Sequence, residues 1–258
     1  MHEYLNIFGL HLPLYGLMIL TGIVVANAVA LLLCKKLQAD KLELLLLESY
    51  GIIGAFIGSK LLFLIIGFRE IDWARIGEFK YLINVITNGF VFYGGLIGAV
   101  LCIFLGAKIH QIDVWFYLRK FIFMIPMMHA FGRIGCFFAG CCYGRPYKGP
   151  GAVVFPEGSQ ALSGVKLFPV QLVEAVVVLL LAIVLLILIV KKSFFYTIET
   201  YLLAYSVIRF ILEFMRYDAV RGEAFGLSTS QWISIAIFVG TIISIIYRKI
   251  KCIKRTTN

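Results

Sequence analysis

The sequence predicts an all-α integral membrane protein with about seven transmembrane helices, an external N-terminus and a cytoplasmic C-terminus. Three observations carry this expectation. Hydrophobic residues make up 61% of the 258-residue chain and charged residues only 15%, and the mean hydropathy is +0.95, beyond what a water-soluble globule shows. A bilayer core requires about 20 apolar residues per helix, and the chain divides into stretches of that length. Lysine and arginine gather in alternate connections, which sets the orientation.

The stretches fall near Leu12–Cys34, Leu44–Gly67, Asn84–Ala107, Val114–Gly140, Phe168–Val190, Ile198–Arg216 and Ser228–Tyr247. The first is long enough to remain a helix, and Met1–Leu10 lacks the basic leader of a cleavable signal peptide. The third and fourth carry glycine or charge, which blurs their ends. After the fourth comes the longest connection, roughly Cys141–Leu167. Pro146, Pro150, Pro156 and five glycines suit it to a lid or rim. A single membrane domain, 1–258, accounts for nearly the whole chain.

One set of connections holds Lys35, Lys36, Lys41, Lys108, Arg119, Lys120, Lys191, Lys192, Arg248, Lys249, Lys251, Lys254 and Arg255. The opposite set holds Arg69, Arg75, Lys80, Arg145, Lys148, Lys166, Arg216 and Arg221. The richer first set is placed in the cytoplasm. The net charge of +10 then reflects topology and attraction to anionic headgroups. No basic stripe with interleaved aromatics points to nucleic acid.

Arginine within a membrane segment costs about 2.5–3.5 kcal/mol on insertion scales, so it marks a site, with an anion as the natural partner. Arg133 ends the fourth stretch between Gly132 and Gly135, which permit close approach of backbone or ligand. In the sixth stretch Tyr201, Tyr205, Arg209, Glu213 and Arg216 recur at helical spacing and share one face. That face must look into the bundle or a wet cavity, either as a self-compensating charge ladder or as a ligand site. Two guanidiniums on separate helices, both toward the outer leaflet, suit a phosphodiester, because each offers planar two-pronged hydrogen bonding.

His129 precedes Arg133 by one helical turn and is either a satisfied interhelical histidine or a base. Lys60, in the second stretch, is expected to snorkel to the headgroups. His2, His11 and His110 have no such arginine one turn away. Of six cysteines, Cys34, Cys102 and Cys252 are scattered, whereas Cys136, Cys141 and Cys142 cluster at the expected outer rim. A nucleophilic thiol, a Cys136 disulfide to Cys141 or Cys142, and simple packing all fit them. Zinc would need His129 as a fourth ligand, a full helical stretch inward from Cys141. No metal or cofactor is expected.

Several segments carry a family resemblance. Gly132-Arg133-Ile134-Gly135-x-Phe137-x-x-Gly140-x-x-x-Gly144-Arg145 resembles the signature of the prolipoprotein diacylglyceryl transferases. In order along the chain, Leu14-Tyr15-Gly16-Leu17-Met18 resembles the family's first-helix motif, and Phe92-Tyr93-Gly94-Gly95-Leu96-Ile97-Gly98 its Phe-His-Gly-Gly-Leu-Ile-Gly. Phe168-Pro169-Val170-Gln171-Leu172-Val173-Glu174 resembles its His-Pro-Ser-Gln-Leu-Tyr-Glu. Tyr205, Arg209, Glu213 and Arg216 match its sixth-helix face, and Ser230, Gln231 and Ser234 its last helix. Six segments in register are a specific match.

The resemblance implies a multi-pass enzyme of the bacterial cytoplasmic (inner) membrane. It would move the diacylglyceryl group of phosphatidylglycerol, or another anionic phospholipid, onto the lipobox cysteine at a prolipoprotein's signal peptide region, releasing glycerol phosphate. The implied catalytic residues are Arg133, Arg209, Tyr205, His129 and Tyr93. Tyr15, Gly94, Gly95, Cys136, Gly144, Gln171, Glu213 and Arg216 join the two arginines in binding substrate. The departures are chemical. Tyr93 and Phe168 stand where the family has histidines, and Cys136, Ala139 and Cys141-Cys142 where it has Asn, Asn and Glu-Leu. A tyrosine of pKa near 10 is a poor base, which leaves His129 as the expected replacement. A transferase with another acceptor and a non-catalytic phospholipid-binding protein are the alternatives.

Overall fold

A computed structural model describes residues 4–7, 10–192, 195–217 and 222–256. His2 and Arg221, both considered above, lie outside the described residues. Nine α-helices are present among those described: α1 Leu14–Leu37, α2 Lys41–Ile66, α3 Phe79–Thr87, α4 Phe92–Ile109, α5 Val114–Phe121, α6 Met124–Phe138, α7 Val170–Lys192, α8 Thr197–Glu213 and α9 Thr229–Thr256. Three antiparallel hairpins accompany them: β1 Tyr4–Ile7 with β2 Leu10–Pro13, β3 Val153–Val154 with β4 Lys166–Leu167, and β5 Glu223–Ala224 with β6 Leu227–Ser228.

By length and composition α1, α2, α4, α7 and α9 can cross a membrane, and a sixth crossing is available if the bent pair α5 and α6 acts as one span. The chain is a multi-pass membrane protein, and its apolar exterior, including Leu32, Ile65, Leu101 and Ile243, suits lipid rather than water. Each of the seven expected stretches contains a helix, with three corrections. The third does not run unbroken from Asn84, because α3 stops at Thr87 and Gly89 takes φ +74° before α4 begins. The fourth bends by 52° between α5 and α6. Pro126 gives the reason: it cannot donate to the Ile122 carbonyl and its ring crowds that carbonyl, yet it is tolerated in the first turn of α6. The sixth becomes α8, which has 17 residues and at about 1.5 Å per residue spans about 26 Å, less than a bilayer core of about 30 Å.

The chain forms two compact units, Met1–Leu33 with Leu118–Asn258, and Cys34–Tyr117. The second is built on α2 and α4. Asp40 caps α2 by accepting from Leu42 N at 2.7 Å and Glu43 N at 3.1 Å. The two helices interlock through Gly54 and Gly58 on one and Gly94 and Gly98 on the other. A Cβ at Gly54 or Gly58 would strike the carbonyl of Gly98 or Gly94, and the converse holds for the glycines of α4. Each pair is a small-xxx-small motif, which lets backbones approach where no hydrophobic force drives helices together. Lys60 does not snorkel outward. Its ammonium donates to the Val85, Asn88 and Gly89 carbonyls around the end of α3, where the helix dipole favours a cation.

In the first unit, α6 packs on α7, α7 on α8 and α8 on α9, while Gly22 of α1 sits against Phe131 of α6. Two polar contacts at opposite ends hold α8 and α9 antiparallel: Arg248 Nη1 to Glu199 Oε1 at 2.6 Å, and Arg209 Nη2 to Ser230 Oγ at 3.2 Å. The connection after α6 folds on a small core of Phe155, Ala161 and Leu167, packed by Phe137, Tyr143 and Val153. It is a structured rim rather than a loose loop.

Candidate active site

The site lies in the first unit and is organised by a carboxylate. Glu174, one turn into α7 and 1% exposed, meets three cationic or polar groups from two other helices. Arg133 Nη2 of α6 lies 3.1 Å from its Oε1, Arg209 Nη1 of α8 lies 3.5 Å from its Oε2, and His129 Nε2 of α6 lies 3.5 Å from its Oε1. Arg209 Nη2 also pairs with Glu213 Oε2 at 2.7 Å, one turn along α8. The two arginines expected from their helices therefore converge, and Glu174 is the residue that joins them. It is the sole acidic residue of a 23-residue helix whose other polar side chains are Gln171 and the terminal Lys191 and Lys192. That isolation was the available signal, since an intramembrane acid demands a partner.

Not every valence in this network is closed. Arg209 Nη1 and Glu174 Oε1 are buried and touch opposite charge without an aligned hydrogen bond. Arg133 and Arg209 are matched by Glu174 and Glu213, so the formal charges of this network balance if His129 is neutral. The imidazole is neutral by geometry: Arg133 Nε donates to His129 Nε2 at 3.1 Å. A guanidinium cannot accept, so that nitrogen carries the lone pair and the proton sits on Nδ1. The nitrogen that a base would use is therefore engaged by Arg133. Tyr205 of α8 stands edge-on to His129, ring centroids 5.3 Å apart, stacks on Tyr201 and lies beside Arg133.

The remaining expected residues divide. Glu213 ends α8, so Arg216 leaves the helical face and instead forms a backbone bridge with Gly144. Flanking bonds from Arg145 N to Met215 O and from Tyr217 N to Tyr143 O extend it. Gly144 is enclosed by the Phe168 and Met215 carbonyls, a packing role. Gln171 is buried and donates to the Cys141 carbonyl at 2.8 Å. Tyr15 of α1 packs against Gly135 and neighbours Arg133 and the three rim cysteines. Those cysteines are free thiols with no disulfide among the described residues. In the second unit, Tyr93 heads α4, 46% exposed and edge-on to Phe92. Gly94 and Gly95 pack against α2.

A multi-pass protein with paired guanidiniums fixed inside its helical bundle belongs to the class of membrane proteins that handle anionic headgroups. A family model described as prolipoprotein diacylglyceryl transferase matches residues 3–247. The phosphatidylglycerol–prolipoprotein diacylglyceryl transferase of Clostridium tetani is 35% identical over 89% of this chain and 90% of its own length. A Clostridium perfringens protein named phosphatidylglycerol–prolipoprotein diacylglyceryl transferase 2 is 34% identical over 97% and 96%. The Pasteurella multocida transferase is 32% identical over 90% and 86%. The chain belongs to the prolipoprotein diacylglyceryl transferase family.

Proposed function

We propose that this protein transfers the diacylglyceryl group of phosphatidylglycerol to the lipobox cysteine thiol of a prolipoprotein and releases glycerol phosphate. The observation that carries the reading is the convergence of Arg133 and Arg209, from two separate helices, on the buried Glu174. The two guanidiniums bind the phosphate and stabilise the charge that grows on it as the glyceryl carbon–oxygen bond breaks. Glu174 holds both in place, His129 orients Arg133, and Tyr205 positions the headgroup. Tyr15, beside the same helix end, borders the path of the acceptor.

The site faces outward in this reading. The protein lies in the bacterial cytoplasmic membrane with its N-terminus outside, where a translocated lipobox is accessible. Turnover of labelled phosphatidylglycerol with a lipobox peptide, by the purified protein in detergent, tests the function. Thioether formation with equal glycerol phosphate release supports it, and lipid binding without either product overturns it. Orientation is tested separately with a membrane-impermeant thiol probe. A cysteine introduced at Glu157 should react in intact cells and one at Lys254 should not, and the reverse pattern would invert the topology.

A further inference from the structure

The thiols of Cys136, Cys141 and Cys142 lie within 4.8 Å of one another, and nothing in the phosphate site uses them. Cys136 sits in the last turn of α6. The chain then reverses through Gly140 at φ +64° and Cys142 at φ +57°, fastened by Cys141 N to the Cys136 carbonyl at 3.1 Å. A non-glycine residue in the left-handed region is uncommon and marks a backbone held by its surroundings. The buried Gln171 clamps this turn through the Cys141 carbonyl, leaving its own Oε1 buried without a partner. The turn thus aims three sulfurs at one point.

We propose that these three thiolates hold a divalent soft ion of the zinc class whose fourth position receives the acceptor thiol. This rests on the transferase reading above. Zinc–sulfur bonds of about 2.3 Å place the sulfurs of such a site about 3.8–4.0 Å apart, within reach of small side-chain rotations from the present spacing. Among the described residues no fourth histidine, cysteine or carboxylate joins the group, and His129 is committed to Arg133 and Glu174. Three protein ligands with an open position is the pattern of a reactive rather than a structural zinc site. The cysteines are partly accessible. Arg216 and Arg133 lie near the group, so guanidiniums offset its negative charge.

The ion supplies what the altered family motif lacks. A thiol that coordinates it loses its proton to solvent, so no side-chain base is required. The bound thiolate sulfur then attacks the glyceryl carbon and forms the carbon–sulfur bond. The carbon–oxygen bond to phosphate breaks, and its electron pair leaves with glycerol phosphate beside Arg133. The product thioether, a weaker ligand, departs and reopens the position. The metal's oxidation state does not change.

The test uses the full-length protein in detergent, loaded with Zn²⁺ or Co²⁺. One equivalent of metal per chain is expected, lost in Cys136→Ser and in Cys142→Ser. The Co²⁺ absorption spectrum of the wild-type protein should change on adding a lipobox peptide and not on adding its serine analogue, a readout independent of whether the variants fold. No stoichiometric metal, metal retained by the variants, or a spectrum indifferent to the peptide thiol would overturn the proposal. Phosphatidylglycerol turnover on the same preparation separates the two readings. Turnover that survives metal removal and Cys136→Ser sinks the metal site alone, whereas a peptide-responsive metal site without turnover sinks the transferase.

Discussion

The two units of this chain hold helices together in opposite ways. In the second, α2 and α4 meet through Gly54, Gly58, Gly94 and Gly98, with backbone against backbone and no charge at the contact. In the first, α6, α7 and α8 meet through Arg133, Glu174 and Arg209. Glycine packing suffices to join helices in lipid, so stability alone does not require a buried ionic network whose desolvation is costly. In the function proposed above, the charged contact carries the chemistry and the glycine contact is scaffold.

The largest expected effect follows from that division. Arg133→Ala and Arg209→Ala should each lower turnover by at least about 10²–10³-fold, the loss typical of removing one stabilising donor, while the protein still extracts and purifies. Normal turnover by either variant would place the chemistry elsewhere. Glu174→Gln comes next, because it strands the buried Arg133 guanidinium and takes from Arg209 one of its two carboxylate partners. Breaking such a network costs about 3–5 kcal/mol, so thermal stability in detergent should fall together with activity. A variant as stable as wild type would mean that the network is already open to water.

Gly98→Leu sharpens the comparison from the other side. Overpacking costs about 1–3 kcal/mol, so the midpoint of thermal unfolding should drop while the folded fraction keeps its affinity for phosphatidylglycerol. A change in affinity without loss of stability would make this interface part of the site. His129→Gln should cost least, less than about 10-fold, since glutamine retains an acceptor for Arg133 Nε. A loss of about 10²–10⁴-fold, the range for a missing general base, would restore the imidazole as the base.

The helices were legible in the sequence because long apolar runs leave few alternatives, and both arginines were legible because charge in such runs is costly. What was hidden needed three dimensions. Glu174 stood inside a quoted motif, but its bridging of two helices is invisible along one chain. His129 shares a helical face with Arg133, and only the direction of the Arg133 Nε donor separates a base from an orienting acceptor. Arg216 keeps helical spacing in sequence but leaves the face because α8 ends at Glu213. The convergence of the three cysteine sulfurs depends on the left-handed turn at Gly140 and Cys142, which no residue pattern announced.

The central claim is that two planar guanidiniums, rather than positive charge alone, grip the phosphodiester. Glycerol phosphate release from phosphatidylglycerol by the Arg133→Lys protein, with a lipobox peptide as acceptor, tests this most directly. A lysine keeps the charge and lacks the two-pronged fork, so release should fall about as far as in Arg133→Ala. Release by Arg133→Lys at close to the wild-type rate would contradict the account.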